Sequence, residues 1–129
     1  MDRSDISTVR NPIEAANGLP NAHYIDAGVF EEERQAVLFD NWAGLAVGAD
    51  VPEVGDAKPI TFLSMPLLLV RDRSGQVRVF QNICRHRGMI LVEEPRKIEG
   101  AIRCPYHSWC YSTKGDLVST PHVGGPGQN

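Results

Sequence analysis

Two short pairs of side chains constrain this 129-residue chain more than anything else in it. Cys84-Arg85-His86 and Cys104-Pro105-Tyr106-His107 each place one thiol and one imidazole within a single tight turn, and seventeen residues separate them. A fold that uses both pairs must bring two loops face to face at one end. Soft thiolate and imidazole together suit a metal, and two chemistries fit. Zinc takes two Cys and two His around one ion in a tetrahedron. A mixed-ligand [2Fe–2S] centre instead puts both thiolates on one iron and both imidazoles on the other, so each loop reaches across two metals. The C-x-H and C-x2-H spacing leaves both readings open. The third cysteine, Cys110, is read as a small buried hydrophobe outside the ligand set.

The rest of the chain reads as a small β protein. Residues 1–23 are polar and broken by Asn11-Pro12 and Leu19-Pro20, an extended N-terminal arm. Asp26 or Gly28 can cap a helix from Val29 to Asn41, with Phe30, Val37 and Leu38 as its apolar stripe and Glu31, Glu32 and Glu33 as a solvated start. Beyond Trp42, Leu45 to Val47 is a short strand candidate and Val51 to Pro59 a loop. Ile60 to Leu63, Leu67 to Arg71 and Val77 to Asn82 read as strands, with Asp72-Arg73-Ser74-Gly75 turning the last two into a hairpin. A second hairpin pairs Trp109–Ser112 with Asp116–Ser119 across Thr113-Lys114-Gly115. The tail from His122 to Asn129 is loop-like. These signals predict a mainly β, antiparallel sheet or barrel preceded by one short helix.

Composition narrows the function classes. Hydrophobic residues make up 42% and charged residues 22%, which argues for a folded chain. A net charge of -3 excludes nucleic acid as the default partner. The longest apolar run, Met65 to Val70, contains Pro66 and falls far short of the roughly 20 residues of a membrane span. With no signal-peptide pattern at the N-terminus, the expected location is cytoplasmic. Charge is unevenly placed: residues 71–103 hold eight basic and four acidic side chains, around the first ligand pair. That excess can face an acidic electron donor or form a solvated sheet face.

The residues around the two pairs carry a resemblance. CRHRG at the first loop and CPYHSWCY at the second, followed by Gly115 and Leu117, resemble the Rieske domain of ring-hydroxylating oxygenase alpha subunits. The likeness runs upstream through Phe39, Trp42, Val54-Gly55-Asp56 and Val79-Phe80-Gln81-Asn82, spanning roughly residues 24–121. It implies a Rieske domain over 24–129, incomplete at its C-terminus, built as an iron–sulfur-protein-type β-sandwich or barrel with two cluster-binding loops. It implies one [2Fe–2S] cluster held by Cys84, His86, Cys104 and His107. Cytochrome bc-type relatives carry an extra cysteine in each loop, joined as a disulfide; the matching positions here are Met89 and Tyr106.

Four neighbours of the ligands are further candidates. Trp109 and Tyr111 alternate with Cys110 and are expected on one face of a strand, either shielding the cluster or packing the core. Arg87 and Gly88 are expected to shape the first loop, Gly88 through a positive φ and close backbone approach to a sulfide. His23 and His122 have no assigned role.

In the resembling family a second domain holds a mononuclear Fe(II) with two histidines and a carboxylate. Only two histidines here lie outside the candidate ligand set, ninety-nine positions apart, so the catalytic iron domain is absent from this chain. The resemblance therefore implies the N-terminal part of a mono- or dioxygenase. It receives electrons from an NAD(P)H-dependent reductase or a ferredoxin and works as a homotrimer or hetero-hexamer, with His86 and His107 as electron exits. A stand-alone ferredoxin-like carrier is the alternative.

Overall fold

The computed structural model describes residues 3–121 and 123–124. They fall into two units, Met1–Gly44 and Leu45–Asn129. The tail read as a loop from His122 onward lies largely outside the described residues, His122 included.

The first unit is helical. Arg3–Arg10 winds as a 3-10 helix where an extended arm was expected. A single helical turn, α1 (Ala22–Ile25), leads to α2 (Ala27–Glu33). Asp26 caps α2 as its sequence position suggests. Its carboxylate accepts the Gly28 and Val29 N–H groups at 2.8 and 3.1 Å, satisfying two donors that the first turn leaves open. The helical run continues to Leu38, but Arg34–Leu38 adopts the wider π spacing. Phe30 and Val37 are half exposed while Val29 is buried, so the expected stripe of Phe30, Val37 and Leu38 is not the buried face.

The second unit is two antiparallel sheets. β1 (Asp56–Phe62), β2 (Met65–Arg71), β3 (Val77–Gln81) and β4 (Arg96–Lys97) form a four-stranded sheet in the order β3-β2-β1-β4. β5 (Ile102–Arg103), β6 (Cys110–Tyr111) and β7 (Leu117–Ser119) form a three-stranded sheet in the order β5-β6-β7. β2 is one of the two inner strands, and its run Leu67–Val70 is buried throughout, as expected of a strand covered on both faces. The fold is thus mainly β and antiparallel, with a small helical region before it, as expected. Among the described residues no helix is long and apolar enough to cross a membrane.

Local departures have physical reasons. Leu45–Val47 finds no partner strand and stays irregular. β1 starts at Asp56, inside the expected loop, because Asp56 and Ala57 pair with Lys97 and Arg96. The β1–β2 turn is made by Leu63 and Ser64, both at positive φ (47° and 69°), a turn without the usual Gly or Asn. The two predicted hairpin turns are present. Gly75 (φ 84°) closes the first by donating to the Asp72 carbonyl at 3.0 Å. At Gly115 (φ 97°) a Cβ would lie 2.7 Å from the Phe80 ring, so only glycine fits.

Several members of the basic segment serve this frame. Arg71 donates to the carbonyls of Gly48, Val51 and Gly75. Buried Asp72 accepts from the Ser74 hydroxyl at 2.6 Å, the backbone N–H of Ser74 and Gln76, and Arg78 at 2.5 Å. The Ser74 hydroxyl and the Arg78 guanidinium hold the Asp72 carboxyl well below the usual carboxylate range. Lys97 bridges Glu53 and Asp56. The core is formed by Ala57, Leu68, Val70, Leu91, Val92, Ile102 and Tyr111 together with two cysteines, Cys84 and Cys104.

Candidate metal centre

The two ligand loops join different sheets yet share one backbone design. The first lies between β3 and β4, the second between β5 and β6. In the first, Cys84 N–H donates to the Met89 carbonyl at 2.7 Å and Gly88 N–H to the Cys84 carbonyl at 2.9 Å. In the second, Cys104 N–H donates to Trp109 at 2.8 Å and Ser108 N–H to Cys104 at 3.1 Å. Each cysteine therefore opens a six-residue turn whose fifth residue is left-handed, Gly88 at φ 71° and Ser108 at φ 60°. The histidine sits third in one turn and fourth in the other. The positive φ expected at Gly88 is present, but a Cβ there would meet nothing within 4 Å, so no close approach within the chain requires glycine.

The neck of the first loop is tied twice. Ile83 bridges Ile90, and buried Asn82 clasps Val92, donating to its carbonyl at 2.6 Å and accepting its N–H at 3.0 Å. The sequence places Asn82 at the end of a strand and within the resemblance, with no role of its own. A buried amide that copies a two-bond strand pairing carries no local signature; the one hint was an Asn closing an apolar strand just before a ligand.

The thiols and imidazoles are segregated. Cys84 and Cys104 are each 2% exposed and belong to the core, whereas His86 is exposed and His107 partly so. The two imidazole rings stand 4.8 Å apart, centroid to centroid, at 67°. Burial pushes the Cys84 thiol up. The Tyr111 hydroxyl, the His86 N–H, the Cys104 thiol and the Arg87 N–H outweigh that and leave it below the ordinary cysteine value. Sulfur at this position is thus surrounded by groups that favour thiolate, the ligand form.

The four neighbouring candidates divide the work. Tyr111 is buried in the core and its hydroxyl lies 3.3 Å from Cys84 Sγ while accepting the Arg85 N–H at 3.0 Å. Burial and the Cys84 sulfur push the Tyr111 phenol up to about 12, so it keeps its proton. Trp109 instead stacks on His86, with centroids 4.6 Å apart and planes 8° off parallel. The two aromatics therefore serve different pairs: Tyr111 the thiols, Trp109 the imidazoles. Arg87 stands over the Tyr106 ring at 5.9 Å, and Tyr106 leans on His107 at 3.7 Å. Cys110 is buried, its sulfur 3.2 Å from the Ser108 carbonyl.

The four donors divide into two pairs of different chemistry and exposure. A thiol pair in the core and an imidazole pair at the surface match the ligand division of a mixed [2Fe–2S] group.

Comparison with known proteins identifies the family. The family pattern of the Rieske [2Fe-2S] domain matches residues 41–125. The chain is 34% identical over 98 residues to the biphenyl 2,3-dioxygenase subunit alpha of Rhodococcus jostii, covering 76% of this chain and 21% of that protein. It is 35% identical over 101 residues to the glycine betaine monooxygenase oxygenase subunit of Pseudomonas aeruginosa, covering 78% and 23%. Among solved structures, naphthalene 1,2-dioxygenase from Rhodococcus sp. superposes with a TM-score of 0.73 at 35% identity, over 81% of this chain and 24% of that one. The apo form of a quaternary ammonium Rieske monooxygenase gives a TM-score of 0.74 at 28% identity, over 81% and 31%. The chain spans between 21% and 29% of the length of the curated relatives it matches.

Proposed function

The chain belongs to the Rieske [2Fe–2S] domain family, and from that premise we propose that Cys84, His86, Cys104 and His107 hold one [2Fe–2S] cluster that relays electrons to a mononuclear iron activating O2. When bound, the cluster supplies reversible one-electron transfer at a potential between roughly -150 and +300 mV. The observation that carries the reading is the segregation of donors: two thiols 2% exposed in the core, two imidazoles paired at the surface.

The chain's own residues have distinct tasks. Cys84 and Cys104 anchor the metal group to the core. The backbone N–H groups of His86 and Arg87 and the Tyr111 hydroxyl spread the negative charge of the thiolate side. His86 and His107 present imidazole at the exposed end, the shortest protein route for an electron to leave. Arg85, Arg87 and Arg103 flank the ligands, exposed and without an ion-pair partner among the described residues, and suit an acidic reductase or ferredoxin. On this reading the receiving iron, its O2 chemistry and its substrate pocket come from residues other than these 129, which span under a third of the curated relatives named above.

Iron and acid-labile sulfide analysis, with EPR after dithionite reduction, tests the proposal. Two irons and two sulfides per chain with the low average g-value of histidine-ligated centres are expected. A colourless chain binding one zinc after anaerobic reconstitution with iron and sulfide overturns it.

A further inference from the structure

Metal-bound imidazoles are ordinarily aimed by a hydrogen bond from the second ring nitrogen to a carboxylate or carbonyl. Within this chain the His86 ring is gripped by two other rings, His107 edge-on at 4.8 Å and Trp109 face-on at 4.6 Å. His86 is also the exposed member of the imidazole pair, so packing from the core does not hold it. The indole comes from the second loop and the imidazole from the first, so the stack crosses between the loops. Offset stacking at this distance is attractive in its own right and fixes rotation about the imidazole's χ2 better than a shapeless apolar contact does.

We propose that Trp109 is the positioning residue for His86: its indole face sets the plane of that imidazole and hence its overlap with the metal it binds. Tyr111 cannot take this part, because its hydroxyl is engaged with Cys84 and Arg85. Tyr106 cannot either, because it lies against His107. The inference rests on His86 being a cluster ligand, and its test separates the two claims.

The 129-residue chain and its Trp109→Phe and Trp109→Leu variants are reconstituted with iron and sulfide, assayed for both, reduced, and examined by pulsed EPR for the two histidine 14N couplings. Phe keeps a stackable face; Leu keeps apolar volume without one. The expected result is a wild-type spectrum in Trp109→Phe. In Trp109→Leu the couplings of one histidine shift and those of the other stay, at unchanged iron and sulfide. Loss of the cluster in Trp109→Leu alone also supports the ring face as the holding element. Unchanged couplings in Trp109→Leu overturn the proposal, as do equal shifts or equal cluster loss in both variants. A wild-type chain that takes up no histidine-ligated cluster removes the ligand assignment itself, a result distinct from all of these.

Discussion

Replacing Tyr111 by Phe removes one oxygen atom and tests how the fold sets the cluster's potential. The hydroxyl accepts the Arg85 N–H at 3.0 Å, which leaves its hydrogen free to point at Cys84 Sγ, 3.3 Å away. Once Cys84 is a thiolate it can only accept, so the tyrosine must be the donor. Hydrogen bonds to charged groups net about 1.5–3 kcal/mol. Only the part that grows when an electron is added affects the potential. Taking that part as one third to one half gives about 0.5–1.5 kcal/mol in favour of the reduced form. At roughly 59 mV per 1.4 kcal/mol for one electron, Tyr111→Phe lowers the potential by about 20–65 mV. Potentiometric titration followed by circular dichroism, with iron and sulfide measured on the same sample, reads the shift. An unchanged or raised potential at full cluster content refutes the donor role.

Three further perturbations follow from the frame around the site. Asn82→Ala leaves the buried Val92 N–H and carbonyl without partners, at about 1–3 kcal/mol each, so urea unfolding reports a loss of about 2–6 kcal/mol; a loss under about 1 kcal/mol contradicts the clasp. Ser108→Gly relieves a left-handed residue, which costs an L side chain about 1–2 kcal/mol, against the roughly 0.5–1 kcal/mol that glycine loses in chain entropy; a small rise in thermal midpoint is expected and a fall counts against it. Asp72 has a native carboxyl held below its unfolded value, so its stabilisation is complete above about pH 5 and fades as pH falls through the native value. The stability gap between wild type and Asp72→Asn, followed by urea midpoints from neutral to acid pH, therefore narrows on acidification; a gap that widens reverses the sign of the argument.

What the sequence made legible was what local chemistry encodes. Asp72-Arg73-Ser74-Gly75 and Thr113-Lys114-Gly115 carry their turn residues in view, and both turns exist. Asp26 ahead of an acidic run is one of two cap candidates, with Gly28, and its carboxylate is the one that takes the N–H groups. Leu63-Ser64 turns the chain without any such residue, because the six register pairs of β1 and β2 force the conformation from outside. β4 and β5 are two residues long, too short for a period to show. The helix stripe failed because the run widens to π spacing at Arg34, where positions drift away from the α period. At the site, the ligand pairs and their aromatic neighbours were readable, but not which aromatic serves which pair. That depends on loops from two sheets meeting, which no spacing along one strand contains.

The electrical polarity of the site follows from the same meeting. Each loop is the same six-residue turn, opened by a cysteine whose backbone is bonded into the turn and whose side chain sits in the core. The sulfur end of both loops therefore points inward in any sequence that builds these turns around core cysteines. The histidines, two or three residues further along, arrive at the outward part of each turn. Burial of charge is costly unless compensated, and the compensation is concentrated where the charge is: N–H groups and a phenol around Cys84, with the arginines outside on the exposed rim. Had the order been reversed, with histidine opening each turn, two anionic thiolates would face solvent and any partner. With imidazole at the surface instead, a second protein can approach without meeting the thiolates. The order Cys before His in both pairs is thus the part of the motif that decides which donor faces the core and which faces outward.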